Sequence, residues 1–146
     1  MKPETNHKPP QKGKGTLGCV RSLGPVPILE EYVEPDWWRC IFNSIYLKTD
    51  GDVIDDAQIT AKEIDTFSNI LKLSPEDRIL DLCCGQGRCS LELARRGFNN
   101  VEGLDRSHYL IQRAKALSKK EGLNVKFREG DARKLPYPAD TFEVVM

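Results

Sequence analysis

The chain has 146 residues, 39% hydrophobic and 30% charged, with 22 basic and 22 acidic side chains and a net charge of zero. That size fits one domain, and the charge balance excludes a dedicated nucleic-acid binder, which carries a strong basic excess, so no nucleic-acid partner is expected. No apolar run approaches the roughly 18 residues of a membrane span, and Met1 to Asn6 lacks the apolar core of a signal peptide, so a cytoplasmic protein without a membrane partner is expected.

Residues 1–27 read as a flexible, basic tail rich in proline and glycine. Lys2, Lys8, Lys12, Lys14 and Arg21 face one acid, Glu4, up to position 21. Too little apolar surface is present there to offset the entropy of ordering the segment. Residues 28–75 read as an N-terminal helical segment. Trp37, Trp38, Ile41, Phe42, Ile45 and Tyr46 recur at helical spacing and predict one short amphipathic helix. Its aromatic residues either cover a cofactor or pack in the core. Thr49-Asp50-Gly51-Asp52 reads as a turn. Asp55 followed by Gln58 resembles a capping box for a helix whose buried face carries Thr60, Ile64, Phe67 and Leu71. Ser74 to Asp77 ends it.

Residues 76–146 alternate strand and helix. Arg78 to Cys83 predicts a strand, about Arg88 to Arg96 a helix stopped by Gly97, and Asn100 to Asp105 a second strand. Ser107 caps a helix reaching about Lys120, with Leu110, Ala114 and Leu117 inward and Gly122 as its stop. Val125 and Phe127 mark a third strand, Leu135 to Pro138 a loop, and Phe142 to Met146 a fourth strand. Such alternation predicts an α/β fold, a Rossmann-like doubly wound parallel sheet preceded by N-terminal helices.

The chemistry concentrates after the first strand. Asp81-Leu82-Cys83-Cys84-Gly85-Gln86-Gly87 leads from strand to helix. Glycines there let the backbone approach a ligand, and the helix N-terminus offers N–H groups to an anion. Asp105 follows 18 residues after Gly87, where a ribose-binding acid is expected. The dinucleotide pattern G-x-G-x-x-G places Ser90 at its third glycine. A carboxylate at Asp81 repels a pyrophosphate but suits an ammonium. S-adenosylmethionine (SAM) has an amino group, a carboxylate, a ribose and an adenine, and no phosphate. Asp81 matches the amine, the loop and helix terminus the carboxylate, and Asp105 the ribose. The five cysteines, Cys19, Cys40, Cys83, Cys84 and Cys89, read as reduced thiols, with Cys83, Cys84 and Cys89 as small buried hydrophobes; their spacing fits no paired zinc ligands. His108 reads as an exposed first-turn residue more readily than as a base, and no catalytic residue is assigned.

Ile79 to Gly87 resembles the first motif of class I SAM-dependent methyltransferases. Val101 to Asp105 resembles their second motif, and Phe127 to Pro138 the third. Asp140 to Val145 is similar to the lead-in to strand four, with Glu143 where aspartate is more usual. The style is that of the small-molecule enzymes of ubiquinone and menaquinone biosynthesis. One departure is Cys83, at the first glycine of the usual G-x-G-x-G. The resemblance implies SAM as cofactor, a small-molecule methyl acceptor, and cofactor contacts from Asp81, Cys83, Gly85, Gln86, Gly87, Asp105, Arg106, Asp131 and Ala132, with Asp131 on the adenine amine and Ala132 contributing backbone. It also implies seven strands where four are predicted here, so a fragment of a longer protein is expected, or a truncated product whose sheet a partner chain or a dimer completes. The alternatives are a non-catalytic nucleoside-binding module, an aminopropyl transferase and an NAD-linked enzyme of similar fold.

Overall fold

The computed structural model describes Glu34, residues 36–51 and residues 55–146; the expected tail and Asp52 of the expected turn lie outside the described residues. The aromatic-rich segment forms two short helices, α1 (Trp38–Ile41) and α2 (Ser44–Thr49), in place of the single helix expected. Asn43 causes the break. Its backbone is extended, its Oδ1 accepts from Ile45 N at 2.8 Å, and its Nδ2 donates to Cys40 O at 2.8 Å. One amide thus closes α1 and opens α2, the competition with helical bonding at which asparagine excels. Neither helix buries a residue.

Helix α3 (Ala57–Leu71) is capped by Asp56, not Asp55: the Asp56 carboxylate accepts from the N–H groups of Gln58 and Ile59. The cap sits one residue later than expected because Gln58 is then the second helical residue and receives the bond at its amide. Thr60 and Ile64 are buried, whereas Leu71, expected on the same face, is exposed at the helix end.

The sheet comprises β1 (Ile79–Leu82), β2 (Val101–Asp105), β3 (Lys126–Glu129) and β4 (Val144–Val145), all parallel, in the order β3-β2-β1-β4. Helix α4 (Arg88–Arg95) connects β1 to β2, and α5 (His108–Glu121), capped by Ser107, connects β2 to β3. Strand order reverses at β1, as a doubly wound sheet requires, which creates a switch point between β1 and β4.

The period of two assigns the faces. Ile79 pairs in register with Val101, and Gly103 with Phe127, on the side covered by α3, α4 and α5. There Ile64, Leu93 and Phe98 pack on Ile79 and Val101, while Leu91, Ile111 and Ala114 pack on Phe127 and Cys84. The opposite face carries Leu80, Glu102 and Leu104. Among the described residues no helix crosses it between β3 and β4; instead Tyr137 donates its hydroxyl to Glu102 Oε1 at 2.6 Å and meets Phe142 edge-on. Among the described residues no helix is long and apolar enough to cross a membrane.

Candidate functional site

The carboxyl ends of β1, β2 and β3 bring the predicted site residues together. The loop from Cys83 to Gly87 turns through three left-handed residues: Cys83 at φ 62°, Gly85 at φ 58° and Gly87 at φ 80°. Glycine meets that demand at no steric cost, whereas a side chain there costs about 1–2 kcal/mol. At Gly87 space forbids a side chain as well, since a Cβ would lie 2.6 Å from the Phe127 ring. Cys83 carries the strain. Its thiol is exposed, contrary to the expectation of a buried one, while Cys84 is buried in the core and Cys89 is partly buried.

Asp105 ties the loop to β2. One carboxylate oxygen accepts from Gly85 N at 2.8 Å and the other from Ser107 N at 2.7 Å. A single acid therefore fixes both the glycine loop and the start of α5. Gly130 N donates to Asp105 O at 2.9 Å, which carries the turn holding Asp131 and Ala132 to the same edge. Asp131 is gripped by Arg133: Nη2 reaches Oδ2 at 2.6 Å, and both Nε and the Arg133 backbone N–H donate to Oδ1. Those bonds, with the nearby Arg106 charge, hold the Asp131 carboxyl well below the ordinary carboxylate range. Arg106 itself lies 4.1 Å over the Trp38 ring. Ser107 Oγ donates to Phe42 O at 2.6 Å, so α1 and α2 are pinned at the β2–α5 junction.

Asp81 is only 7% exposed. Its Oδ2 accepts from Ser90 Oγ at 2.6 Å and from Ser90 N at 3.1 Å, anchoring the first turn of α4 to β1. Burial raises its pKa, and the Ser90 bonds and the charge of Arg88 offset part of that rise. Ser90, at the third glycine position of a dinucleotide loop, thus has a specific partner here. The Gln86 side chain reaches Asp55 and Arg113. His108 is exposed and pairs through Nδ1 with Glu129 at 2.7 Å.

The loop sits in a negative field. Partial loss of solvent around the otherwise exposed Cys83 thiol raises its pKa most, followed by the charges of Asp105, Asp81 and Asp131. Sequence reasoning missed Ser90, Arg133, Asp55 and Arg113 as partners. Only Arg133, two residues from Asp131 in a turn, left a local signal.

Residues 79–146 match the model of a methyltransferase domain family. The chain is 34% identical over 110 residues to the demethylmenaquinone methyltransferase of Alkalihalophilus pseudofirmus, covering 72% of this chain and 46% of that protein. It is 32% identical over 90 residues to the 27-O-demethylrifamycin SV methyltransferase of Amycolatopsis mediterranei, covering 60% and 33%. The crystal structure of the PH0226 protein from Pyrococcus horikoshii superimposes with a TM-score of 0.57 at 35% identity, covering 68% of this chain and 48% of that one. The chain thus spans less than half the length of these relatives. Residues 79–146, which hold the glycine loop, the β2 acid and the parallel sheet, form a methyltransferase domain similar to those of these relatives.

Proposed function

We propose that the protein binds SAM at the carboxyl ends of β1 to β3 and serves methyl transfer to a small-molecule acceptor. The observation that carries this reading is the bond from Gly85 N to Asp105, which joins the glycine loop and the β2 acid into one site. The chemistry of the donor set fits the cofactor. Asp81, Asp105 and Asp131 surround the loop with negative charge, which opposes a pyrophosphate and favours a ligand bearing an ammonium and a sulfonium. The first turn of α4 leaves backbone N–H groups without intrahelical partners, suited to a carboxylate.

In this assignment Asp81 acts on the amino group, and the backbone of Cys83, Gly85, Gln86 and Gly87 holds the carboxylate end. Asp105 accepts from the ribose hydroxyls, and Arg106, Asp131 and Ala132 border the adenine. Bound SAM supplies a methyl group already activated on sulfur. The chain's own residues hold it, orient it and exclude water; proximity and alignment are the main protein contribution to such a transfer. The relatives named above act, by their names, on a demethylmenaquinone and a demethylrifamycin, which supports a small-molecule acceptor. The exposed edge strand β4 is the surface where a partner chain or a second copy would extend the sheet. Exposed free thiols at Cys40 and Cys83 fit a reducing, cytoplasmic setting.

Isothermal titration with SAM, S-adenosylhomocysteine, decarboxylated SAM and NADH in one buffer tests this reading. Saturable binding of SAM and S-adenosylhomocysteine with no NADH binding is expected. NADH binding without SAM binding overturns it, and tight binding of decarboxylated SAM alone points to aminopropyl transfer.

A further inference from the structure

Gln86 lies between Gly85 and Gly87 of the glycine loop, yet its side chain serves another part of the molecule. Its Nε2 donates to Asp55 Oδ1 at 2.9 Å, and its Oε1 accepts from Arg113 Nε at 2.6 Å. Arg113 Nη2 lies 4.0 Å from Asp55 Oδ1 and closes the triangle. Asp55 precedes the cap of α3, Gln86 sits between β1 and α4, and Arg113 is on α5. The three residues line a cleft of about 190 Å³ between those helices.

We propose that Asp55 and Arg113 are positioning residues that act through the Gln86 amide to hold the Cys83–Gly87 loop in its cofactor-binding shape. The inference rests on the SAM reading above and extends it to residues outside the three motifs. Three of the five loop residues are left-handed, and one of them is a cysteine, so the loop needs external restraint to keep this conformation. The carboxamide satisfies both partners in only one orientation, nitrogen toward the carboxylate and oxygen toward the guanidinium, and each bond is charge-assisted. Gln86 is itself buried, so water competes weakly for these bonds. A loop fixed in advance avoids an ordering cost on binding. The tie also links cofactor affinity to the N-terminal helical segment, because Asp55 leads directly into α3.

Titration of the full chain with S-adenosylhomocysteine, paired with thermal melting by circular dichroism, tests the tie. Asp55→Ala and Gln86→Glu each weaken binding by about ten-fold, the scale of one charge-assisted hydrogen bond. Asp55→Asn alone changes it by less than about two-fold, because its amide oxygen still accepts from Gln86. Adding Asp55→Asn to Gln86→Glu restores most of the affinity, because the asparagine amide donates to the introduced carboxylate. A contact that only supports folding would move the melting temperature and leave affinity per folded molecule unchanged. If Asp55→Ala does not melt cooperatively, the Gln86→Glu variant and its rescue decide the matter. Unchanged affinity in Gln86→Glu, or failure of the rescue, overturns the proposal. Absence of binding by the unaltered chain overturns the SAM reading itself.

Discussion

The α1–α2 segment and the chain from residue 78 onward both place apolar side chains at regular spacing, but they use them differently. From β1 onward those side chains meet a sheet. Ile79, Leu93, Leu104 and Ile111 are essentially inaccessible, and the elements run close to where periodicity predicts. In α1 and α2 no residue is buried, and Ile45 remains 59% exposed. Aromatic contacts among Trp37, Phe42 and Tyr46 hold that segment together, with Arg106 on Trp38 and Ser107 on Phe42 O pinning it. Periodicity identifies which side chains can share a face; the presence of a second apolar surface decides whether that face becomes core.

Core truncation breaks this comparison most sharply. Leu93→Ala lowers unfolding free energy by about 3–4 kcal/mol in urea titration, since a fully buried leucine leaves a cavity. Ile45→Ala in α2 changes it by about 0.5 kcal/mol or less. Comparable losses at the two sites would contradict the contrast.

Within the loop, Gly87→Ala costs about 2–3 kcal/mol and weakens S-adenosylhomocysteine binding. The new Cβ meets the Phe127 ring and the backbone stays left-handed. A thermal melt within a degree of the unaltered protein would show that the ring moves aside without cost.

Cys83→Gly works in the opposite direction. It relieves the left-handed strain at Cys83 while adding backbone entropy to the unfolded chain, for a net gain of about 0.5–1 kcal/mol. Loss of stability on this change would place the thiol in a stabilising contact.

The smallest effect concerns the start of β4. Arg78 Nε donates to both Glu143 oxygens at 3.0 and 2.9 Å, and the Arg78 backbone N–H donates to Oε2 at 2.8 Å. These bonds bring the Glu143 pKa down from 4.5 to about 2. Because the folded pKa is depressed, this contribution is present above pH 4.5 and is lost as pH falls toward 2. Glu143→Gln therefore flattens the acid limb of the stability curve over that window, by a small amount that added salt reduces, since the pair is exposed. An acid limb identical to that of the unaltered chain would contradict it.

Much of the domain after residue 78 was legible because each signal was local. A run of apolar residues ended at Asp81-Leu82, glycines opened a turn, and Ser107 and Gly122 bounded α5. The order of the acids in the three motifs also matches their meeting at one edge of the sheet. Three features were not legible, each for a physical reason. The break at Asn43 depends on a side chain serving two helix ends at once. The exposed, left-handed Cys83 follows from the path of the loop, which a residue type alone does not specify. The Gln86 amide finds partners 31 and 27 residues away in the chain, a pairing that exists only once α3 and α5 have packed beside the loop.

The central claim is that the glycine loop and the β2 acid form one cofactor site through the bond from Gly85 N to Asp105. Isothermal titration of the Asp105→Ala variant with S-adenosylhomocysteine tests it most directly. Removing that carboxylate unties Gly85 and Ser107 and deletes the proposed ribose acceptor, so affinity is predicted to fall by at least about ten-fold while the protein still melts cooperatively. Affinity equal to that of the unaltered chain would contradict the claim.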